Sequence, residues 1–225
     1  MKYLIPQVID KHQTGFMPER FIADNGVTTR LIMDIAQRFK LPGVALLLDQ
    51  EKAYDRVHPK YLQACLERFG FPSSLIHCIH TLFFGTSLCI NVNGFLSTPI
   101  AQARGLRQGD PLSPLLFNLA IEPLLRSIWS SRLIPGFQIS NSIRPESIST
   151  FISPPPLKAM AHADDVIVFL NKPNELQALL RIVSVYGQAS NARLNRDKTL
   201  AVSLSGESHP EWRRMLEANQ IFQWH

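Results

Sequence analysis

Two adjacent carboxylates, Asp164 and Asp165, constrain the fold of this chain more than any other feature. Residues 166–170 after them form an apolar run of strand length, and residues 158–161 before them could form the second arm of a hairpin. Asp disfavours strands, and two like charges side by side repel each other. A pair kept at the tip of such a hairpin needs a compensating cation, and a metal ion is the leading candidate.

A third carboxylate, Asp49, directly follows the apolar strand pattern Val44–Leu48. An Asp at the end of a buried strand directs its charge out of the edge of a sheet, where ligands bind in many folds. We therefore expect Asp49 and Asp164 to share one site. Oxygen ligands of this kind suit Mg²⁺, and two such ions support in-line attack at phosphorus. Glycoside hydrolysis by paired acids is the weaker alternative, because adjacent carboxylates do not flank a sugar from two sides.

The bulk composition is that of one globular core with a modest basic excess. With 225 residues, 45% of them hydrophobic, the chain can bury one substantial core with a lobe attached. The net charge of +5 fits nucleic-acid binding without establishing it, and the three cysteines show no pairing pattern. Because the sequence has neither a membrane-span pattern nor a signal peptide, we expect a nuclear or cytoplasmic protein with no membrane partner.

The order of the apolar patterns predicts a mixture of helices and strands. A helix is expected over residues 27–39, with Asn25 or Thr28 as its N-terminal cap. Asn93-Gly94 stands between two strand-like runs and is a strong signal for a hairpin. Together with the carboxylate hairpin, this order favours an α+β fold with an antiparallel sheet flanked by helices.

Five short motifs lie along the chain in a recognisable order. They are QTGFMP (13–18), LLDQEKAYDRV (47–57), RGLRQGDPLSP (104–114), ADD (163–165) and LNRDKT (194–199). In this order they resemble the reverse transcriptase domain of non-LTR (LINE-type) retrotransposons, over about residues 7 to 205. One such motif would be a weak signal, and five in the family's order are a strong one.

The resemblance implies the right-hand fold of a polymerase, a palm with partial fingers. Residues 1–43 would belong to the fingers and 44–205 to the palm, with a further part of the fingers at about 58–103. The Pro- and Ser-rich residues 135–157 read as a surface-loop insertion in the palm. Residues 206–225 would be the truncated start of the thumb side, so we expect a truncated retroelement fragment.

The resemblance also assigns the metal ligands. Asp49 and Asp164 would hold two Mg²⁺ ions, with Asp165 beside them and the backbone carbonyl of Gln50 completing the ligand set. Lys198 would reach the pyrophosphate as a charge partner or proton donor. From the residues alone, a solvated basic turn explains Lys198 equally well.

The implied partners are an RNA template, a DNA primer and deoxynucleoside triphosphates. Tyr54 would lie under the sugar and exclude a 2′-hydroxyl, although a core aromatic explains it as well. Gln108 and Gly109 would contact the incoming nucleotide, where Gly allows close approach and Gln can both donate and accept hydrogen bonds. The residues expected to bind template or primer are Arg104, Gly105, Arg107 and Asn195.

Two residues depart from the family's pattern. His162 stands where Phe or Tyr is usual, two residues before the Asp pair, and Glu19 stands where Gly is common. A ring-for-ring replacement explains His162, as does erosion of an element that is no longer active. Two alternatives to an RNA-directed DNA polymerase therefore stay open: a catalytically inactive nucleic-acid-binding remnant, and a metal-dependent phosphohydrolase.

Overall fold

The computed structural model describes residues 5–138 and 155–225. The helices are α1 (Ile5–Val8), α2 (Ile22–Arg38), α3 (Pro59–Arg68), α4 (Ser73–Phe83), α5 (Ser113–Ser130), α6 (Pro173–Ser190) and α7 (Pro210–Ala218), with a single 3₁₀ turn at Tyr54–Arg56. The strands are β1 (Val44–Leu48), β2 (Ser87–Leu88), β3 (Asn91–Val92), β4 (Phe95–Leu96), β5 (Ile100–Ala101), β6 (Ala159–His162), β7 (Asp165–Leu170), β8 (Leu200–Ser203) and β9 (Gln223–Trp224).

Strand β1 lies in the middle of a five-stranded sheet of order β6-β7-β1-β8-β9. It pairs antiparallel with β7, from Val44 opposite Leu170 to Leu48 opposite Val166, and antiparallel with β8 on its other side. Strands β6 and β7 form the predicted hairpin. The expectation of an α+β fold with an antiparallel sheet is confirmed, and β9 adds one unpredicted parallel pair at the edge.

The alternating side chains of the sheet divide the core into two layers. Leu46 and Val168 face the larger layer, which includes buried residues of α3, α5, α6 and α7. Ala45 and Phe169 face the smaller layer, where Ala36 of α2 packs against the sheet. Because apolar layers cover both faces of the sheet, polar side chains lie at the ends of its strands.

Helix α5 runs through the larger layer, where its buried residues pack in one cluster with residues of the sheet. Pro123 interrupts its backbone hydrogen bonding, since proline has no N–H to donate. One turn earlier, the Ala120 carbonyl accepts hydrogen bonds from the hydroxyls of Tyr61 (3.0 Å) and Tyr186 (3.4 Å). Two neighbouring helices thus hold the middle of α5, next to Phe117 at the site described below.

The predicted start of the second helix is wrong. Helix α2 begins at Ile22, with Phe21 as an N-cap that makes no side-chain capping bond. Asn25 lies inside the helix, and its Nδ2 donates to Thr14 Oγ1 (3.0 Å) and to the Ala161 carbonyl (3.1 Å). The Asn that looked like a cap therefore joins α2 to β6, a tertiary role that local sequence cannot reveal.

The predicted hairpin at Asn93-Gly94 is confirmed as two short ladders, β3 with β4 and β2 with β5. Both turn residues have positive φ (52° and 89°), as a type I′ turn requires. Of the expected insertion at 135–157, residues 139–154 lie outside the described part. At its base, Phe137 and Leu157 exchange backbone hydrogen bonds of 2.7 and 2.8 Å.

Residues 206–225 pack against the end of the five-stranded sheet and add a strand to it. Trp212 of α7 is buried, and its indole Nε1 donates to the Pro42 carbonyl at 2.7 Å. Strand β9 then adds to β8. The assignment of this segment to the thumb side stays a prediction. Within residues 5–138 and 155–225, none of the helices has the length and apolar character needed to span a membrane.

Candidate active site

The pairing register places Asp49 and Asp165 side by side at the rim of the sheet. Leu48 opposite Val166 is the last pair of the β1–β7 ladder, so the next residues outward are Asp49 and Asp165. Both line a cavity of about 680 Å³ between α2 and the sheet. Lys198 lines the same cavity. The structure therefore brings together carboxylates that are more than a hundred residues apart in sequence.

Asp164 occupies the turn of the β6–β7 hairpin and is electrostatically coupled to both neighbours. Burial raises the pKa of its carboxyl group above the ordinary value, and the charges of Asp165 and Asp49 raise it further. His162 acts in the opposite direction and lowers it. The expected meeting of the three carboxylates is thus present, and their mutual repulsion favours a bound cation.

The donor set fits Mg²⁺, but it is not a closed metal cage. Among the described residues, no group of three or more His, Cys, Asp or Glu side chains is arranged to hold a metal on its own, and none of the three carboxylates is in an ion pair. Mg²⁺ commonly takes one or two carboxylates and completes its shell with water and substrate phosphates. An open, uncompensated carboxylate cluster is the arrangement that such binding needs.

The turn that carries Lys198 is fastened to the backbone at the end of β1. The N–H of Asn195 donates to the Asp49 carbonyl (2.8 Å), and the backbone of Gln50 pairs with Leu194. The side-chain oxygen of Asn195 accepts a hydrogen bond from the N–H of Lys198 (3.3 Å). In the structure Asn195 orders this turn, and its expected contact with template or primer stays a prediction.

Tyr54 forms an aromatic floor beside the carboxylates. Its ring stacks on Phe117 of α5, with centroids 4.5 Å apart and planes 12° from parallel. Burial raises the pKa of the Tyr54 hydroxyl to about 12, and the charge of Asp164 contributes to that rise. The ring therefore packs on the core through Phe117 and lies close enough to Asp164 to feel its charge.

The glycine loop is attached to the segment that carries Tyr54. The N–H of Gly105 donates to the Val57 carbonyl and the N–H of Leu106 to the Tyr54 carbonyl, both at 2.9 Å. Gly105 has φ +90°, and a Cβ there would lie 2.9 Å from the Asp55 carbonyl oxygen. A side chain does not fit this close approach, so Gly105 allows the loop to pack against the 3₁₀ turn Tyr54–Arg56.

Arg107 is used within the protein. Its guanidinium donates to the Leu82 carbonyl (2.9 Å), Thr86 Oγ1 (2.7 Å) and Gln102 Oε1 (3.2 Å), and it lies over the Phe83 ring. These bonds join the loop to the end of α4 and to the β2–β5 hairpin. The predicted contact of Arg107 with template or primer stays a prediction. A guanidinium in this position would bind nucleic acid while it keeps its hydrogen bonds to the protein.

Other loop residues stay open to a ligand. Arg104, Gln108 and Gly109 are exposed, and Gly109 has φ +87°. They lie on the loop that Gly105 and Leu106 join to residues 54–57. The expected nucleotide and template contacts of these three residues stay predictions.

The sequence reasoning missed the supporting role of the QTGFMP motif. Thr14 Oγ1 lies 3.1 Å from Nδ1 of His162, and the Phe16 ring lies against the same imidazole, with centroids 6.3 Å apart. Gln13 bonds the backbone of the carboxylate turn. The sequence shows this motif, but it does not show that the motif packs against the β6–β7 hairpin.

Carboxylates that meet at strand ends are the arrangement that metal-dependent nucleotidyl transfer uses. Residues 1–219 match the family described as reverse transcriptase (RNA-dependent DNA polymerase). The chain belongs to that family, whose members use divalent metal ions, and the resemblance to non-LTR retrotransposon enzymes is confirmed by its relatives.

Two curated relatives are products of retrotransposons or transposons. The chain is 32% identical over 201 residues to the Transposon TX1 uncharacterized 149 kDa protein of Xenopus laevis, covering 88% of the chain and 14% of that protein. It is 29% identical over 213 residues to the Pol polyprotein of the type-2 retrotransposable element R2DM of Drosophila melanogaster, covering 95% and 18%. The chain thus spans less than a fifth of the length of these relatives.

Solved telomerase structures share the fold. Telomerase from Candida albicans, in complex with a fragment of telomeric RNA, matches with a TM-score of 0.59 at 13% identity, over 92% of this chain and 35% of that one. Apo telomerase from Candida tropicalis, truncated from its C-terminal domain, matches with a TM-score of 0.57 at 15% identity, over 92% and 40%. The predicted polymerase palm with partial fingers is confirmed at the level of the fold.

Proposed function

We propose that this chain is the RNA-directed DNA polymerase domain of a non-LTR retroelement, which adds deoxynucleotides to the 3′-hydroxyl of a DNA primer on an RNA template. The observation that carries the proposal is the meeting of Asp49, Asp164 and Asp165 at one rim of the sheet. Family membership supports the reaction class. Its substrates would be met in the nucleus or cytoplasm.

Asp49 and Asp164 would hold two Mg²⁺ ions, with Asp165 beside them and the Gln50 carbonyl as a further ligand. When bound, the ions lower the pKa of the primer hydroxyl and neutralise the triphosphate and the leaving pyrophosphate. The chain's part is to keep the carboxylates close together. The Asn195 bond to the Asp49 carbonyl supports this, because it fixes the backbone on which Gln50 also lies.

Tyr54 would select deoxynucleotides by occupying the space of a 2′-hydroxyl. Its stacking on Phe117 supports this role, because a ring backed by the core cannot move aside. Removing the side chain should therefore admit ribonucleotides, whereas Tyr54→Phe, which keeps the ring, should not. The measurement is the ratio of kcat/KM for a deoxynucleotide to that for its ribonucleotide.

The loop residues would hold the nucleic acid over this site. Gln108 and Gly109 would contact the incoming nucleotide, and Lys198, on the wall of the carboxylate cavity, would reach its pyrophosphate. The residues proposed to bind template or primer are Arg104, Gly105, Arg107 and Asn195. The proposed domain division keeps 1–43 as fingers, 44–205 as palm and 206–225 as the thumb side.

The test is primer extension on an RNA template with Mg²⁺ and deoxynucleotides. We expect extension by the chain and its loss by at least about a thousandfold in Asp164→Asn, because one metal ligand and its charge are removed. Asp197→Asn is the matched control, since Asp197 is an exposed carboxylate and should leave the rate unchanged. Extension that survives Asp164→Asn would overturn the proposal.

An inactive nucleic-acid-binding remnant is the second candidate, favoured by His162 at the position where the family has Phe or Tyr. It predicts RNA binding that weakens as salt rises and does not depend on the carboxylates. Salt-dependent binding without extension in both the wild-type chain and His162→Tyr would support the remnant. The phosphohydrolase alternative gives the Tyr54 floor and the glycine loop no role.

A further inference from the structure

The carboxylate turn depends on a backbone conformation that the hairpin alone does not stabilise. Ala163, between His162 and Asp164, has φ +56°, in the left-handed region that residues with a Cβ rarely adopt. Ala163 is buried, with 4% of its surface exposed, so water does not satisfy its peptide groups. Such a conformation persists only where its surroundings enforce it.

One fully buried side-chain amide supplies that support. Oε1 of Gln13 accepts the N–H of Ala163 at 2.8 Å, and Nε2 of Gln13 donates to the Ala163 carbonyl at 3.1 Å. The two peptide groups on either side of the Ala163 Cα are therefore held by one planar group. This fixes both backbone torsions of Ala163, and so the direction in which the chain enters Asp164.

The amide is itself held in place from two directions. Oε1 of Gln13 also accepts the N–H of Gly15 (2.9 Å), and the Gly15 carbonyl accepts Nδ2 of Asn118 from α5. Gly15 packs so closely on the turn that a Cβ would lie 2.2 Å from the Ala163 nitrogen. The N–H of Thr14 bonds the Ala161 carbonyl at 2.8 Å, which adds the segment to the edge of β6.

We propose that Gln13 is a positioning residue that sets the placement of Asp164 for metal binding by clamping the backbone of Ala163. The effect on metal binding rests on the proposed function, whereas the contact between Gln13 and Ala163 does not. Gln13 does not touch substrate directly, because its side chain is fully buried and both polar atoms of its amide bond backbone. Its effect must therefore pass through the turn.

The first readout is amide hydrogen exchange in the purified chain. In Gln13→Met, which keeps the side-chain length and removes both hydrogen bonds, exchange at Ala163 should rise at least about tenfold relative to exchange at Leu46 in the sheet. Leu66→Ala is the control: it opens a cavity in α3 away from the turn and should lower overall stability while leaving this ratio unchanged.

The second readout is the affinity of the chain for Mn²⁺ alone, measured by electron paramagnetic resonance. We expect about tenfold weaker binding in Gln13→Met and a change of less than about twofold in Leu66→Ala. Gln13→Asn is the second variant: it keeps a neutral amide, but its side chain is one methylene shorter and cannot make both bonds to Ala163 in the same geometry. Its affinity for Mn²⁺ should also fall below that of wild type.

The outcomes separate this inference from the proposed function. Unchanged exchange and unchanged Mn²⁺ affinity in Gln13→Met and Gln13→Asn would overturn the clamp, as would the same losses in Leu66→Ala. If wild type and Asp164→Asn bind Mn²⁺ equally, the proposed metal site fails and with it the claim that Gln13 positions Asp164 for metal. The exchange ratio would then report only the backbone contact itself.

Discussion

Neutralising Asp164 should stabilise the metal-free protein, because its ionised carboxylate destabilises the folded state. Two unit charges about 4 Å apart repel by about 1 kcal/mol in water and about 4 kcal/mol at an effective dielectric constant of 20. Asp164 is half-buried beside Asp165 and Asp49. We therefore expect Asp164→Asn to raise the free energy of unfolding by about 1–2 kcal/mol in the absence of divalent ions.

Mg²⁺ should make wild type more stable than Asp164→Asn, which is the reverse of the order expected without divalent ions. A ligand at a hundred times its dissociation constant stabilises the folded state by about 2.7 kcal/mol, which exceeds that difference, and only wild type retains the full ligand set. Urea unfolding at pH 7 with a chelator and then with Mg²⁺ measures both effects. Asp197→Asn, at an exposed carboxylate, should change the free energy of unfolding by less than about 0.5 kcal/mol in either condition.

The pH dependence has a defined sign. The pKa of Asp164 is raised in the folded state, so folded protein holds the proton more tightly than unfolded protein. The stability linked to this group is fully present below its unfolded pKa, near 3.9, and is lost as pH rises through the raised folded value. Asp164→Asn should lack this loss. A less stable Asp164→Asn in chelator would refute the reasoning, since it would show that protein groups satisfy the carboxylate.

Three further predictions concern the segments around the site. Glu19 has φ +59°, so Glu19→Gly should be more stable than Glu19→Ala by about 1 kcal/mol in urea unfolding, whereas Ala64→Gly in α3 should lose about 1 kcal/mol. Arg20 donates to four backbone carbonyls, so Arg20→Met should lower the free energy of unfolding by about 2–4 kcal/mol. Arg30→Met removes an exposed ion pair and should lower it by less than about 1 kcal/mol. Tyr54→Phe should keep deoxynucleotide selectivity, and equal loss in Tyr54→Phe and Tyr54→Ala would show that the hydroxyl, not the ring, discriminates.

The parts of the fold that sequence could predict are those in which local pattern and tertiary environment agree. The strand ending at Asp49 and the hairpin around Asp164 were readable because buried apolar runs stop at charges. The start of α2 was not, because Asn25 is a good cap by type yet bonds Thr14 and Ala161 across the fold. Local propensity carries no information about such partners.

The same limit explains the departure at Glu19. The resemblance to the family implied only that Gly is common at this position. The structure gives a backbone reason, since the residue is exposed and in the left-handed region. A position can thus prefer glycine for its conformation alone, with no ligand nearby.

The supporting motifs share one physical task, which is to hold backbone next to carboxylates that repel each other. Gln13 holds the turn before Asp164, and Asn195 holds the carbonyl of Asp49. Gly105 lets the glycine loop pack closely on the backbone of Asp55, in the segment that follows Asp49. Repulsion would otherwise move each strand end toward solvent. Because each support acts on backbone, its loss should weaken metal binding without changing any ligand, which separates these motifs experimentally from the carboxylates they serve.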